Sequence, residues 1–417
     1  MLTNSPKGTK DVLPDQIYKW HYVEKAFHDI CTAYGFKEIR TPVFEHTELF
    51  TKGVGDTTDI VDKQMYTFED YANRSVTLKP EGTTPAVRAF VEHKLYAEVQ
   101  PTKVYYNIPC FRYEKPQSGR LREFHQFGVE IFGTGDMMAD AEVISLGNDF
   151  IARLGIKDVE LRINSIGCSK CRKEHRAALR EFLKEKYDDL CDTCKGRYNR
   201  NPLRILDCKS PVCQGLVGGA PLMIDYLCDE CKDAFEDLQT DLTAMGIDFT
   251  VDPGIVRGLD YYTKTAFEFV SNNIGAQGTI CGGGRYDNLM EQLGGPAIPG
   301  IGFGLGIERL LLVMESNGVA ISEPSPLDIF VAVMGDNAKK FGLGLTRELR
   351  KQGLSVEMDT LSRNIKGQFK YADRINANYT VVIGDNELAE GKASLKKMST
   401  SEQRLIPIED IVKEVKG

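Results

Sequence analysis

The segment from Tyr105 to Gly133 constrains the fold of this chain more than any other, and it reads YYNIPCFRYEKPQSGRLREFHQFGVEIFG. Two runs rich in β-branched and aromatic residues flank a polar loop that contains Pro and Gly, which is typical of a long β-hairpin. On the second strand Gln126 and Glu130 occupy alternate positions, so both side chains project from the same face. This polar pair predicts either a ligand site on an antiparallel sheet or a solvated sheet face.

Periodicity elsewhere completes the outline of the first part of the chain. Helical patterns cover Trp20 to Tyr34 and Thr84 to Leu95, and a further strand is predicted from Thr265 to Val270. Clustered strands with helices between them predict an antiparallel sheet flanked by helices, which is an α+β fold.

A joint near residue 325 separates a second domain from the first. The run SEPSPLD at Ser322 to Asp328 places two prolines among small polar residues. After it, the strand-like runs IFVAV, SVEMD and YTVVIG alternate with two helical stretches, which predicts a small α/β sheet with parallel pairs. We therefore expect a first domain at 1–325, with a Cys-rich insertion at 168–235, and a second domain at 326–417.

The charge balance argues against a protein that coats nucleic acid non-specifically. The chain carries 52 Lys and Arg against 60 Asp and Glu, a formal net charge of −8, whereas such proteins are strongly basic. From Pro326 onward there are 15 basic and 13 acidic residues, so the tail is slightly basic and the remainder acidic. The difference is either scatter or a sign that the tail meets a polyanion.

Neither a membrane span nor a signal peptide is visible in the sequence. The longest apolar runs are far too short to cross a bilayer, and the first residues lack the apolar centre of a signal peptide. We therefore expect a cytoplasmic protein.

A glycine-rich segment, GIGFGLGIERLLLVM at Gly300 to Met314, is a candidate anion site. Glycines allow close backbone approach, and a turn into the following helix would offer N–H groups at the helix N-terminus. Arg309 could grip phosphate oxygens in two places. Packing of the glycines against a sheet explains the pattern about as well. The spacing fits neither a Walker loop nor a dinucleotide fingerprint.

Eight of the eleven cysteines lie in the insertion, in four closely spaced pairs. The pairs are Cys168 and Cys171, Cys191 and Cys194, Cys208 and Cys213, and Cys228 and Cys231. Paired thiols at this spacing could hold one or two tetrahedral Zn²⁺ ions in a structural role. The alternative is a set of partly buried free thiols, and disulfides are not expected in a reducing compartment.

Together these segments resemble the three motifs of the class II aminoacyl-tRNA synthetases. The first motif is similar to GFKEIRTPVFEHTELF at Gly35 to Phe50, with Pro42 where that class has its dimer-interface proline. The hairpin resembles the second motif, with Arg112 as its arginine, and Gly300 to Met314 resembles the third, with Arg309. The resemblance implies an antiparallel catalytic sheet that holds ATP and an amino acid, and a homodimer.

Two further stretches indicate which amino acid is bound. GIVRGLDYYTKTAFEF at Gly254 to Phe269 and GTICGGGRYDNLM at Gly278 to Met290 are similar to the signature segments of the histidyl-tRNA synthetases. The tail resembles the anticodon-binding domain of that group. Membership implies that the chain activates L-histidine with ATP, releases pyrophosphate, and transfers histidine to the 3′ end of tRNA(His).

The resemblance also assigns ATP binding to three arginines. Arg112 would hold the α-phosphate from one side, Arg257 would meet the α-phosphate and the substrate carboxylate from the other, and Arg309 would hold the far end of the triphosphate. Arg112 and Arg257 are thus the expected catalytic residues. The assignment agrees with the chemistry, because bringing two anions together requires permanent positive charge around the α-phosphate. Mg²⁺ is expected to arrive with ATP, and its carboxylate ligands are unknown.

The same resemblance implies where histidine and the tRNA acceptor end bind. The residues implied for histidine are Glu81, Thr83, Gln126, Glu130, Tyr261, Tyr262 and Tyr286. The first three would receive the α-amino group and the other four would surround the imidazole; alternatively, Tyr261 and Tyr262 are core aromatics on opposite faces of a strand. Lys115 and Gln117, in the hairpin loop, would touch the extra 5′ guanosine of the tRNA.

Two other interpretations fit parts of the sequence. A synthetase-like regulatory subunit of histidine biosynthesis would perform no aminoacylation, but such paralogues usually lack the tail and degrade the signatures that this chain keeps. A zinc-dependent RNA-binding protein would explain the cysteines and leave the three arginines without a role. Histidine-dependent exchange of pyrophosphate into ATP distinguishes the enzyme from both.

Overall fold

The computed structural model describes residues 3–55, 58–206, 208, 210–271 and 278–416. The chain divides into two compact units, Met1–Ile321 and Ser322–Gly417. The strands are β1 Lys37–Glu38, β2 Phe44–His46, β3 Tyr66–Glu69, β4 Ser75–Leu78, β5 Thr102–Phe111, β6 Glu123–Phe132, β7 Val159–Ser165, β8 Thr250–Val251, β9 Thr263–Ser271, β10 Thr279–Arg285, β11 Gly300–Gly306, β12 Leu327–Met334, β13 Val356–Met358, β14 Ala377–Gly384, β15 Lys392–Lys397 and β16 Gln403–Pro407. The helices are α1 Ile17–Ala33, α2 Thr47–Gly53, α3 Thr83–Glu92, α4 Met137–Arg153, α5 Ser169–Lys184, α6 Asp192–Arg200, α7 Pro211–Leu216, α8 Asp229–Ala244, α9 Leu289–Gln292, α10 Ile307–Ser316, α11 Asp336–Lys351, α12 Ile365–Arg374, α13 Asp385–Ala389 and α14 Ile411–Lys416.

The described part of the first unit is built on an eight-stranded sheet with the order β1-β5-β6-β11-β10-β9-β7-β8. Every pair from β5 to β7 in this order is antiparallel, and only the short edge strands β1 and β8 pair in parallel. The predicted hairpin is β5 and β6, paired from Thr102 opposite Phe132 to Phe111 opposite Glu123. The predicted α+β fold with an antiparallel sheet is therefore confirmed.

The two faces of this sheet have different chemistry because side chains alternate along each strand. One face is apolar and packs against helices α1, α4, α8 and α10, with Phe127 and Val129 of β6 and Phe303 of β11 in its core. The opposite face carries Gln126 and Glu130 and is lined by buried tyrosines. The core therefore holds the sheet from one side and leaves the other side for polar groups.

The glycine-rich segment is a sheet strand rather than a turn before the helix. Gly300–Gly306 forms β11, and α10 begins directly at Ile307. Ile301, Phe303 and Leu305 point into the core, while the glycines between them lie on the polar face. The alternation of apolar residues with glycine is the physical reason, since a strand with period two buries one set and leaves room beside the other.

The Cys-rich insertion is helical. Helices α5 to α8 follow β7 and return the chain to the short strand β8. Leu179, Leu183, Leu190 and Ile205 are buried together with three of the cysteines, Cys194, Cys208 and Cys213. A small separate sheet, β2-β4-β3, contains part of the segment around Pro42.

The second unit is a five-stranded sheet with the order β13-β12-β14-β15-β16. Strands β13, β12 and β14 are parallel, as the alternation of strands and helices predicts. The structure adds two antiparallel strands, β15 and β16, that the sequence pattern does not predict. In the described residues of both units, no helix is long and apolar enough to cross a membrane.

Candidate active site

Glu130 lies at the centre of a cluster of buried polar and aromatic side chains, the candidate pocket, on the polar face of the large sheet. It is fully buried, and its carboxylate accepts hydrogen bonds from the hydroxyls of Tyr106, at 2.9 Å, and of Tyr286. Gly302 pairs with it from β11, and a Cβ at that position would collide with the Glu130 carboxylate. Burial raises the pKa of Glu130 to about 8, although hydrogen bonds from Tyr286, Thr83 and Tyr106 favour the charged form. A buried carboxyl group that titrates near neutrality is well matched to an imidazole.

One end of this pocket is built on the N-terminus of α3. Glu81 is buried, and its two carboxylate oxygens accept hydrogen bonds from the backbone N–H groups of Thr83, at 2.8 Å, and Thr84, at 2.9 Å. Gln126 lies on the same strand as Glu130, and its side-chain carbonyl accepts a hydrogen bond from the Cys110 thiol at 3.5 Å. The structure thus brings Glu81, Thr83 and Gln126 to the pocket that contains Glu130.

The opposite wall is a segment without helix or strand, between Val251 and Thr263, which carries the first part of the signature from Gly254 to Phe269. Arg257 in this segment forms an ion pair with Glu268 of β9, and its guanidinium lies 5.3 Å from the centroid of the Tyr262 ring. Its Nε is buried and has no hydrogen-bond partner among the residues that the structure describes. A buried donor of this kind is suited to an oxygen of a ligand.

The tyrosines of the signatures meet inside the pocket rather than on opposite faces of a strand. The ring centroids of Tyr261 and Tyr262 are 4.6 Å apart, and those of Tyr261 and Tyr286 are 5.6 Å apart. All three are buried. Burial raises the pKa of each hydroxyl, so these phenols act as neutral hydrogen-bonding groups.

Arg112 and Arg309 contribute two further cations. The Nε of Arg112, just after β5, donates to the carbonyl of Pro80 at 2.8 Å, and Arg309, in the first turn of α10, donates to the carbonyl of Thr279 at 2.8 Å. Burial lowers the pKa of Arg309, and the positive charges of Arg120 and Arg112 lower it further. This mutual repulsion identifies a concentration of positive charge that an anion would relieve.

Glu268 links Arg257 to Arg309. Its carboxylate pairs with Arg257 and accepts a hydrogen bond from the hydroxyl of Thr279 at 2.8 Å. The carbonyl of the same Thr279 accepts the hydrogen bond from Arg309. Arg257 and Arg309, which are far apart in sequence, are therefore joined through two residues.

Several residues that shape this site were not singled out in the sequence. They are Tyr106, Glu268, and the buried ion pair between Arg285 and Asp140. Arg285 also donates a hydrogen bond to the carbonyl of Thr134 at 2.9 Å. Tyr106 and Glu268 belong to ordinary β-type runs, and only the pairing of the strands shows that they face the pocket. Arg285 stood in the GGGRYD signature, but its partner lies on α4, and no local pattern indicates that contact.

The hairpin loop with Lys115 and Gln117 lies at the solvent, and both residues are exposed. The loop is closed by reciprocal backbone hydrogen bonds between Gln117 and Arg120, at 3.1 and 2.9 Å. Gly119 lies beside Arg309 and Leu312 of α10. The loop thus borders the end of the site that contains Arg309.

The insertion cysteines form two separate groups of four, whose sulfur atoms all lie within 4.8 Å of one another in each group. The inner group, next to the large sheet, is Cys168, Cys171, Cys228 and Cys231, and the outer group, within the insertion, is Cys191, Cys194, Cys208 and Cys213. All eight are free thiols. Burial opposes ionisation of Cys168, but backbone N–H groups of Cys171 and Lys170 lower its pKa to about 7. The close spacing of the four sulfur atoms would allow each group to hold a metal ion.

Comparisons with known proteins decide the family. A family model described as histidyl-tRNA synthetase matches residues 8–310, and an anticodon-binding domain model matches residues 328–417. The chain belongs to the histidyl-tRNA synthetase family. It is 60% identical over 417 residues to the histidine–tRNA ligase of Caldanaerobacter subterraneus subsp. tengcongensis, which covers all of both chains. It is 54% identical over 417 residues to the histidine–tRNA ligase of Clostridioides difficile, which covers 100% of this chain and 99% of that one.

A solved structure supports the same assignment. The apo histidyl-tRNA synthetase of S. aureus superposes with a TM-score of 0.84 at 41% identity and covers 99% of this chain and 100% of its own. The prediction of a class II aminoacyl-tRNA synthetase of the histidine–tRNA ligase type, with a C-terminal anticodon-binding domain, is thereby confirmed. The regulatory-subunit and RNA-binding interpretations are not supported.

Proposed function

We propose that this histidine–tRNA ligase forms histidyl-adenylate in the pocket between Glu130 and the three arginines. The observation that carries the proposal is the position of a fully buried carboxyl among tyrosine hydroxyls, next to a segment whose Arg257 Nε has no hydrogen-bond partner in the described part of the chain. One part of the pocket has the chemistry of an imidazole site, and the other has the chemistry of a phosphate site.

The amino acid is recognised by hydrogen bonds that an apolar side chain cannot make. Glu130 and Tyr262 bind the two imidazole nitrogens, with Tyr261 beside them and Tyr286 holding the Glu130 carboxyl. Glu81, Thr83 and Gln126 bind the α-amino group. An apolar analogue would leave these buried groups unpaired, so discrimination against it should reach about 10⁴-fold.

Adenylate formation depends on placing the histidine carboxylate against the α-phosphate of ATP. Arg112 and Arg257 hold the α-phosphate from opposite sides, and Arg309 binds the far end of the triphosphate. Their guanidinium groups offset the negative charge that accumulates as the carboxylate oxygen bonds to phosphorus and pyrophosphate leaves. Mg²⁺ bound to the ATP phosphates would add positive charge there.

Transfer places the histidyl group on the 3′ end of tRNA(His), with Lys115 and Gln117 contacting the acceptor end. A cleft between the insertion and the signature segment supports binding of the acceptor strand on this side, since it is lined by Arg172, Arg176, Arg200, Arg204 and Arg257. Such a surface suits the phosphates of an acceptor strand. The domain at 326–417 would bind the anticodon, and the catalytic domain would cover 1–325 with its insertion at 168–235.

We further propose a homodimer formed through the segment around Pro42. Pro42 is exposed, and the apolar side chains of Val43 and Phe44, which follow it, and of Phe68 in the same small sheet are 41%, 55% and 49% exposed. An apolar patch of this kind on β2 and β3 is typical of an interface between copies. We also propose that the protein is cytoplasmic and that the insertion holds Zn²⁺ in a structural role.

The test is amino-acid-dependent exchange of labelled pyrophosphate into ATP. Exchange should occur with L-histidine and remain at background with the other standard amino acids. Glu130→Gln should raise the histidine KM, whereas Glu181→Gln, a change at an exposed residue of α5, should not. Absence of histidine-dependent exchange by the intact wild-type chain would contradict the proposal.

A further inference from the structure

The two cysteine groups match mononuclear tetrahedral sites. Four thiolates bound to one Zn²⁺ at about 2.3 Å lie about 3.8 Å from one another. In the inner group the sulfur of Cys168 lies 3.6 Å from that of Cys171 and 3.9 Å from that of Cys228. In the outer group the sulfurs of Cys191 and Cys208 are 3.9 Å apart. These separations fit one ion in each group and are far too long for disulfide bonds.

The local backbone is arranged to place these sulfurs. Cys168, Cys191 and Cys228 each stand directly before a helix, and Cys171, Cys194 and Cys231 are in the first turn of that helix. The backbone N–H of Cys228 donates to the sulfur of Cys171 at 3.1 Å, and the backbone N–H of Cys191 donates to the sulfur of Cys213 at 3.4 Å. Helix N-termini and N–H donors stabilise thiolates, which are the ligands that a metal requires.

The inner group is connected to the strand that begins after Tyr262. Arg172, next to Cys171 in sequence, donates to the carbonyl of Tyr262 and, at 3.2 Å, to that of Ile166. The ammonium of Lys264 pairs at 3.0 Å with Glu230, which stands between Cys228 and Cys231. Helix α5 therefore binds the carbonyl of Tyr262, and helix α8 binds the side chain of Lys264, two residues further along.

The turn into the inner group depends on a glycine. Gly167 has a φ of +63°, and a Cβ there would lie 2.7 Å from the Cβ of Cys171. Its carbonyl accepts a hydrogen bond from the N–H of Lys264 at 3.1 Å. Gly167 thus links β7, which ends at Ser165, to Cys168, the first cysteine of the inner group.

The outer group is connected to the other end of the signature segment. Arg204 donates to the carbonyl of Gly258 at 2.7 Å, and Asn201 donates to the Asp260 carboxylate at 2.9 Å. Both residues lie in the loop between α6 and Cys208, which the outer group closes. The part of the signature segment before β9, Gly254 to Tyr262, has no helix or strand, so these contacts from the insertion supply much of its support.

We infer that the inner and outer groups bind one Zn²⁺ each, and that the two ions act as positioning elements which hold the histidine-binding segment from Gly258 to Lys264. The role of that segment in histidine binding rests on the proposed function, whereas the two metal sites do not. The small apolar core of the insertion makes metal binding a large part of its folding free energy. Losing an ion would therefore loosen the wall that carries Tyr262 more than the sheet that carries Glu130.

The first measurement is the metal content of wild-type protein purified without chelator. Elemental analysis should give two zinc ions per chain, and titration of the thiols with a mercurial reagent should release both into a zinc-sensitive dye. Cys228→Ser and Cys208→Ser should each retain one ion, whereas Cys31→Ala, at a buried thiol outside both groups, should retain two. Cys228→His should restore the second ion, because imidazole is also a zinc ligand. Absence of zinc, iron in its place, or disulfides in either group would overturn the metal assignment.

The second measurement separates positioning from general destabilisation. In pyrophosphate exchange, Cys228→Ser should raise the histidine KM by about tenfold, the effect of one or two lost hydrogen bonds. The ATP KM should change less, because the inner group contacts Tyr262 and Lys264, whereas Gly258, next to Arg257, is contacted from the loop that the outer group closes. Cys228→His should restore the histidine KM. Equal changes in both KM values, or an unchanged histidine KM in a chain that has lost the ion, would overturn the positioning role. A wild-type chain with two zinc ions and no exchange would instead contradict the proposed function and leave the metal sites standing.

Discussion

The two walls of the pocket are held in place by different means. Gln126 and Glu130 lie on β6, which pairs along its length with β5 and β11 and packs on the apolar core. Arg257, Tyr261 and Tyr262 lie in a segment without regular structure that depends on Glu268 and on side chains of the insertion. Strand register thus fixes Glu130, one of the two residues proposed to bind the imidazole, while tertiary contacts fix Tyr262, the other, and Arg257, which is proposed to meet both substrates. A rigid wall and a supported loop should respond differently to mutation.

The largest effect is expected in the loop wall, from Arg257→Gln. Removing this charge leaves the α-phosphate held from one side, so kcat for pyrophosphate exchange should fall by about 10²- to 10³-fold, as for a lost oxyanion donor. Steady-state exchange kinetics measure it. Arg153→Gln, which breaks an exposed ion pair with Asp29, is the matched control and should behave as wild type. Equal rates for the two variants would remove Arg257 from the mechanism.

A smaller effect is expected in the sheet wall, from Gly302→Ala. The added Cβ would collide with the Glu130 carboxylate and the Val129 carbonyl, and overpacking of this kind costs about 1–3 kcal/mol, or roughly 10- to 100-fold in histidine KM. Gly306→Ala on the same strand is the control, because a Cβ there would meet none of the described residues within 4 Å. If both variants bind histidine normally, the close fit of β11 against Glu130 has no role in recognition.

The buried carboxyl should also give the sheet wall a pH signature. The folded pKa of Glu130, about 8, is above the ordinary value of 4.5, so the folded chain holds a proton that the unfolded chain releases between these values. Stability from this group is present below pH 4.5 and is lost as pH rises toward 8. The Tm of Glu130→Gln minus the Tm of wild type should therefore increase by roughly 2–5 °C as the pH is raised from 5 to 8. Calorimetry that finds a constant Tm difference would contradict the raised pKa.

The smallest effect is expected outside both walls, from Lys115→Ala. Loss of one exposed phosphate contact should raise the tRNA KM in aminoacylation by about two- to fivefold and leave pyrophosphate exchange unchanged. Lys25→Ala, at an exposed ion pair of α1, controls for loss of surface charge. A decrease in exchange activity would mean that the hairpin loop serves adenylate formation and not tRNA binding.

The contrast between the walls also explains what the sequence could reveal. Strand alternation was enough to place Gln126 and Glu130 on one face, because their separation along a strand fixes their direction. It could not supply Tyr106, which reaches Glu130 only through the register of β5 against β6. For the glycine-rich segment the local pattern allows either a turn before a helix or packing against a sheet; the structure shows strand β11, because glycines and apolar residues alternate along it.

Tertiary contacts were beyond local patterns altogether. The sequence identified four cysteine pairs but could not pair them, and the structure joins the first pair with the last and the two middle pairs with each other. The sequence likewise gives no sign that Arg285 forms an ion pair with Asp140 on α4, or that Arg257 forms one with Glu268. Such partners become visible only when the chain folds, because nothing in their spacing distinguishes them from surface charges.

The most direct test of this account is a crystal structure with a non-hydrolysable analogue of histidyl-adenylate. We predict that its imidazole lies between Glu130 and Tyr262, its amino group beside Glu81 and Gln126, and its phosphate mimic between Arg112 and Arg257. An analogue bound with its imidazole away from Glu130, or with neither arginine at the phosphate position, would contradict it.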